Sequence, residues 1–219
     1  MQTLVKICGL KDEQTVRAAR DAGADMIGLV FFPPSPRYLS PADAQALLAD
    51  FKGPPTRVAL LVDADDALID DVAGTGVIDL LQLHGHETPD RVAEIKQRTG
   101  LPVMKVLRVA TADDVAEASR FKAVADRILF DAKAPKDMKG ALPGGNGLRF
   151  DWRLLEGLEL SIPWMLSGGL DAENVGDAIR LTGATAVDTS SGVEDSPGVK
   201  NVDKIRVFVT AARSVPIAA

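Results

Sequence analysis

Apolar residues along this chain gather into short continuous runs, and most runs are followed by a longer stretch with apolar residues near helical spacing. The runs at 3–8, 25–31, 57–62, 77–83, 102–107, 127–131, 162–167 and 184–188 have the length and apolar content of strands buried on both faces. Stretches 11–22, 41–51, 64–73, 89–98, 111–121, 172–181 and 201–212 predict helices, with a shorter one at 151–157. Local signals place several of the ends. Gly23 stops the first helix, Ser40 before Pro41 reads as an N-cap with proline in the first turn, and Thr88 and Asp171 read as further caps. Prolines at 33, 34 and 36 make 32–40 a loop, and the glycine- and lysine-bearing stretch 132–149 is expected to be irregular.

Eight strand–helix units in 219 residues predict an α/β protein, a single (β/α)8 TIM barrel spanning 1–219. The rival is an open doubly wound sheet, which usually has fewer strands and often a G-x-G-x-x-G turn after the first. Here the first run is followed by Cys8-Gly9-Leu10-Lys11, without that fingerprint.

Composition narrows the function. A net charge of −6 argues against a general nucleic-acid surface, and no run of 18 apolar residues suggests a membrane span. The amino-terminal residues enter a strand at once and lack the features of a signal peptide. One cysteine allows no internal disulfide. A cytoplasmic protein, with neither nucleic acid nor membrane as partner, is the expectation.

In a barrel of this kind the active site lies at the carboxyl ends of the strands. Those ends read Cys8, the loop holding Arg37, Asp63, Gln82 with His84, Arg108, Asp131, Ser167 to Gly169, and Asp188 to Gly192. Gly168-Gly169 and Ser190-Ser191-Gly192 are turns whose backbone N–H groups can approach an anion, so a shared phosphate site is expected there. Arg37, in its stiff proline loop, suits a carboxylate or phosphate; a solvated surface arginine is the plain alternative. His84, His86 and Glu87 invite a metal reading, but the ligand set is incomplete, and contact of His84 with a substrate is the better expectation. Lys133, Lys136 and Lys139 read as a solvated segment, with a closing lid as the functional alternative.

The strings KICGL at Lys6, FFPPSPRYLS at Phe31, LLQLHG at Leu80, FDAK at Phe130, GGNGLRFDW at Gly144, LSGGLDAENV at Leu166 and VDTSSGVEDSPGVKN at Val187 together resemble the phosphoribosylanthranilate isomerase family, in order and across essentially the whole chain. Two departures are small: Asn146 stands where the family often has Ser or Thr, and Thr189 where it often has Val. The resemblance implies a (β/α)8 barrel of tryptophan biosynthesis. It would convert N-(5′-phosphoribosyl)anthranilate to 1-(2-carboxyphenylamino)-1-deoxyribulose 5-phosphate by an Amadori rearrangement. It implies Cys8 as general base, Asp131 as general acid, Arg37 as the holder of the anthranilate carboxylate, and Gly168, Gly169, Ser190, Ser191 and Gly192 as the phosphate grip. Gln82, His84 and Asp188 are expected to contact the substrate. Neither a metal nor an organic cofactor is expected. The partner is a small phosphosugar, and the chain is a monomer or a homodimer.

The chemistry sets conditions on both catalytic groups. Asp131 must be protonated when it serves the ring oxygen, so its ordinary pKa of about 3.9 has to rise. A free thiol titrates near about 8.5, so Cys8 needs only a modest shift to act near neutrality. Two other functions compete. One is the related histidine-pathway isomerase, expected to have Asp in place of Cys8 and a glycine pair in the first half. The other is a phosphosugar-binding barrel without catalysis, against which the presence of both Cys8 and Asp131 argues.

Overall fold

A computed structural model describes residues 2–135, 142 and 144–216. Eight parallel strands close into a barrel in sequence order: β1 (Leu4–Cys8), β2 (Met26–Val30), β3 (Thr56–Leu61), β4 (Leu80–Leu83), β5 (Val103–Val109), β6 (Arg127–Ala132), β7 (Trp164–Leu166) and β8 (Ala186–Thr189). β1 closes the ring by pairing with β8, Lys6 opposite Asp188. Helices α1 (Glu13–Asp21), α2 (Pro41–Leu48), α3 (Asp66–Gly74), α4 (Pro89–Thr99), α5 (Ala112–Ala116), α6 (Val175–Thr182) and α7 (Val202–Arg213) form the outer layer.

Strand periodicity divides the core in two. Residues facing outward, among them Val5, Ile7, Ile27, Leu29, Leu81, Ile128 and Phe130, pack under the helices in one large cluster. The opposite parity faces the lumen, where Met26, Val58, Leu80, Met104, Val106, Leu129, Met165 and Ala186 form a second apolar cluster. These lumen residues plug the barrel, so it is a packed core rather than a pore. Helix α7 shows the outer layer at work. Ile205, Phe208, Val209 and Ala212 are its buried residues, at the i, i+3, i+4, i+7 spacing of one face, and Asn201 caps it by accepting from Asp203 and Lys204 N–H. Full burial of a side chain such as Phe208 contributes roughly 1.5–3 kcal/mol.

A carboxylate just before or at the start of three strands ties the other end of the barrel. Asp25 accepts from Val5 N–H, Asp79 from Arg57 N–H, and Asp126 from Val103 N–H, at 2.7, 2.8 and 2.8 Å. Each thereby satisfies a backbone donor of the neighbouring strand.

The caps at Ser40 and Thr88 form as expected, accepting from Asp43 and Arg91 N–H. Three expectations need correction. The helix predicted at 111–121 is α-helical only through Ala116 and tightens into a 3₁₀ turn at Glu117–Arg120. The predicted helix at 151–157 is a 3₁₀ turn, Trp152–Leu155. Asp171 caps a turn that precedes α6, accepting from Glu173 and Asn174 N–H, so the helix begins at Val175 rather than 172. The sequence reading also lacked a small antiparallel hairpin after β8, formed by β9 (Glu194–Ser196) and β10 (Val199–Lys200).

Candidate active site

The reactive groups are lumen-facing residues one or two strand positions above the apolar plug. On β1, Leu4 packs against the plug, and Lys6 and Cys8 follow at the same parity. β4 continues from Leu80 to Gln82, β6 from Leu129 to Asp131, and β8 from Ala186 to Asp188. Period-two geometry thus turns a row of strand ends into one ring of polar side chains. A single pocket is lined by Cys8, Arg37, Gln82, His84, Asp131, Ser167, Gly168, Gly169, Asp188, Ser190 and Ser191. Of the expected site residues, Gly192 alone does not line it. A side chain there would overlap the Leu170 carbonyl oxygen, so this glycine serves close packing behind the turn. Asp63 and Arg108 are also absent from the lining, and each contacts His86, which is exposed.

Cys8 is 3% exposed, and its thiol has room because residue 28, its neighbour on β2, is glycine. Burial pushes the thiol up from its ordinary pKa; the ammonium groups of Lys6 and Lys200 pull it back, and Asp188 adds to the rise. The expected easy ionisation is therefore corrected: desolvation of the thiolate dominates. Asp131 is 6% exposed, and one carboxylate oxygen accepts from Ala132 N–H at 2.9 Å. Its other oxygen lies 3.2 Å from His84 Nε2, without the alignment of a hydrogen bond. Gln82 Nε2 lies 3.3 Å from His84 Nδ1. His84 thus lies between the Gln82 amide and Asp131, with Nδ1 towards Gln82 and Nε2 towards the carboxylate.

Arg37 is 4% exposed and laid flat along the mouth. Gly9, at φ +79, makes this possible, since a Cβ there would sit 2.5 Å from Arg37 Cδ. The guanidinium donates through Nε and Nη2 to the two oxygens of Glu194, both at 2.8 Å, and through Nη2 to the Gly145 carbonyl at 3.1 Å. Lys200 Nζ donates to the same carboxylate at 2.7 Å and to Ser190 O at 2.8 Å. Burial opposes the charge on Lys200 and brings its pKa to about 8, although Glu194 works against that fall. Burial would raise Glu194, but Arg37 and Lys200 hold it below its ordinary value.

Lys6, Glu194 and Lys200 were not singled out from the sequence. Lys6 carried a usable signal, because a charge inside a short apolar strand, at the parity of Cys8, must be paired in the lumen. The other two belong to the hairpin that the periodicity did not show. Lys133, expected to be solvated or part of a lid, pairs with Asp114 at 2.7 Å, while Lys136 and Lys139 lie outside the described residues. Among the described residues no group of three or more His, Cys, Asp or Glu side chains is placed to hold a metal ion, and no helix is long and apolar enough to cross a membrane.

A closed barrel with a thiol, a carboxylate, a fixed guanidinium and glycine turns around one mouth defines an enzyme-like barrel for a small anionic ligand. Comparison with known proteins narrows that class. The family described as N-(5'phosphoribosyl)anthranilate (PRA) isomerase matches residues 5–211, and the chain belongs to it. It is 54% identical to the N-(5'-phosphoribosyl)anthranilate isomerase of Paramagnetospirillum magneticum, over 97% of this chain and 98% of the relative. The fold is similar to phosphoribosyl anthranilate isomerase from Thermotoga maritima, with a TM-score of 0.86 at 35% identity, covering 97% of this chain and all of that one. A further phosphoribosyl anthranilate isomerase was solved in complex with reduced 1-(o-carboxyphenylamino)-1-deoxyribulose 5-phosphate. It superposes with a TM-score of 0.81 at 32% identity, covering 97% of this chain and 100% of the other.

Proposed function

We propose that this chain isomerises N-(5′-phosphoribosyl)anthranilate to 1-(2-carboxyphenylamino)-1-deoxyribulose 5-phosphate in tryptophan biosynthesis, with Asp131 as general acid and Cys8 as general base. The observation that carries the reading is the convergence of Cys8, Asp131, Arg37 and the turns at Gly168-Gly169 and Ser190-Ser191 on one pocket in a chain of this family. β1 and β6 stand three strands apart around the ring, so a sugar seated over the plug has acid and base on different sides.

The reaction then needs only proton transfers. Asp131 gives its proton to the furanose ring oxygen, the C1–O bond breaks, and the nitrogen lone pair forms the C1=N iminium. The iminium acidifies the C2 proton, which the Cys8 thiolate removes, leaving the enolamine. Protonation at C1 and loss of the C2 hydroxyl proton give the ketose. His84 Nε2 lies 3.2 Å from the Asp131 carboxylate that remains after the first transfer, where a proton on that nitrogen would lower the cost of the charge. Arg37 retains its Nη1 edge for the anthranilate carboxylate, and the turns at Gly168-Gly169 and Ser190-Ser191 receive the phosphate.

The test is turnover of N-(5′-phosphoribosyl)anthranilate by the purified protein beside Cys8→Ser and Asp131→Asn. Turnover by the parent with near-complete loss in both variants is expected. A parent inactive on this substrate discards the reading; an active Cys8→Ser keeps the reaction and removes the named base.

A further inference from the structure

A lysine buried in the barrel lumen beside the reactive thiol has no part in the steps above. Lys6 is fully buried, and its Nζ donates to Asp188 Oδ1 at 2.7 Å. The other oxygen of Asp188 accepts from Ser167 Oγ at 3.0 Å. Lys6 and Cys8 share one face of β1, two residues apart, so the ammonium lies beneath the thiol rather than beside the solvent. Desolvating an ammonium is costly, and a barrel plugged by Met, Leu and Val would be simpler without one. The pair is also more than is needed to fill space, because it aims a fixed positive charge at the atom whose ionisation the pocket otherwise opposes.

We infer that Lys6 is a positioning residue for the reaction: its ammonium, fixed by Asp188 and Ser167, is the counter-ion that lowers the cost of ionising the buried Cys8 thiol. This rests on the reading of Cys8 as the base. Three charged groups face the thiol: Lys6 from its own strand, Asp188 from β8 and Lys200 from β10. Burial would lower the pKa of Lys6, but Asp188 and Cys8 together outweigh it and hold the ammonium above its ordinary value, so Lys6 is not the group that takes the proton. The proton that leaves C2 therefore goes to sulfur, and Lys6 only lowers the cost of the sulfur's negative charge before that transfer. Asp188 has a double effect. It orients Lys6, and its own charge disfavours the thiolate.

That arrangement predicts opposite signs for two substitutions. Because the chain has one cysteine, iodoacetamide alkylation as a function of pH reads the Cys8 thiolate without ambiguity. Lys6→Met is expected to move the alkylation inflection up by about one pH unit or more, and to lower kcat at neutral pH about tenfold with little change in KM. Asp188→Asn is expected to move the inflection down. The double variant Lys6→Met/Asp188→Asn, which leaves no unpaired buried charge, guards against misfolding and is expected to show an inflection between that of Lys6→Met and that of Asp188→Asn. An inflection unmoved in Lys6→Met and in the double variant overturns the inference while leaving Cys8 as the base. A moved inflection with unchanged turnover overturns it differently, by showing that the thiolate is not used in the reaction.

Discussion

Gly28→Ala tests where the thiol must sit without touching any reacting group. Gly28 pairs with Cys8 across β1 and β2, and a Cβ built on it would lie 2.7 Å from Cys8 Sγ, 3.1 Å from Cys8 Cα and 3.2 Å from Cys8 Cβ. Non-bonded contacts settle nearer 3.5–4.0 Å, so the sulfur has to retreat by about 1 Å. Gly28 has no positive φ, which makes the cost steric rather than conformational. Overpacking of this kind costs roughly 1–3 kcal/mol, which for a chain of this size is roughly a 2–12 °C fall in Tm. The variant should therefore remain folded at 25 °C. A displacement of about 1 Å in a reacting group, however, costs on the order of 100-fold in rate. The expected result is kcat reduced by roughly that factor with KM within a few-fold, measured beside urea unfolding. Gly74→Ala serves as the control, because a Cβ there meets nothing within 4 Å. A Gly28→Ala protein with kcat within threefold of the parent would refute the argument that this strand pairing sets the position of the base.

Two other predictions draw on different parts of the structure. Arg37→Lys keeps the charge but lacks the planar fork that grips both oxygens of Glu194 and leaves Nη1 for a substrate carboxylate; losing one charge-assisted bond to that carboxylate, worth about 1.5–3 kcal/mol, predicts a KM raised about 10- to 150-fold with a smaller effect on kcat, checked by steady-state kinetics. Burial would raise Asp114, but the Lys133 ammonium, the Ala110 and Thr111 N–H groups and the Thr111 hydroxyl hold its pKa at about 2, below the ordinary 3.8. The folded carboxyl thus binds its proton later than the unfolded one, so its stabilising effect is complete above about pH 4 and is lost as pH falls towards 2. Asp114→Asn should accordingly flatten the stability-against-pH curve in that window, and a curve superposing on the parent's would show that the contacts of Asp114 carry no stability.

The architecture was legible because a parallel barrel buries both faces of each strand. Runs such as RILFD and AVDT are then continuous rather than alternating, and eight of them separated by capped helical stretches leave few alternatives. Boundaries were less legible where the chain does not commit to α geometry, as after Ala116 and at Trp152–Leu155. That Cys8, Arg37, Asp131 and the turns at Gly168-Gly169 and Ser190-Ser191 share one pocket was legible because they all fall at or just beyond the carboxyl ends of strands, which a barrel brings to one mouth. What the linear sequence concealed was pairing. Nothing near Arg37 announces Glu194, which lies 157 residues away, or shows that Lys200 reaches Ser190 and Glu194 together. Nor does Cys8 by itself reveal that burial raises its thiol, since desolvation depends on what encloses the sulfur in three dimensions.

The charges at the mouth are balanced differently in its two halves, and that difference bears on what the pocket accepts. Around the thiol, Lys6 and Asp188 cancel, so an added thiolate is a net negative charge that only the adjacent ammonium groups relieve. Around Arg37, two cations share the single carboxylate of Glu194, which leaves one formal positive charge in a nearly dry site. Burial is the main reason that the Lys200 pKa falls to about 8, and the Arg37 charge adds to the fall, so the cluster is close to shedding a proton. An incoming carboxylate on the Nη1 edge of Arg37, which has no hydrogen-bond partner among the described residues, would neutralise the cluster and hold the Lys200 proton more tightly. Under the proposed reaction, that carboxylate is the anthranilate group. Its binding would anchor the ring end of the substrate and, through Lys200 and Ser190, steady the turn proposed to receive the phosphate at the other end. One ion network thus joins Arg37 to the Ser190 turn, and under the proposed reaction the acid and base act on a sugar held between them.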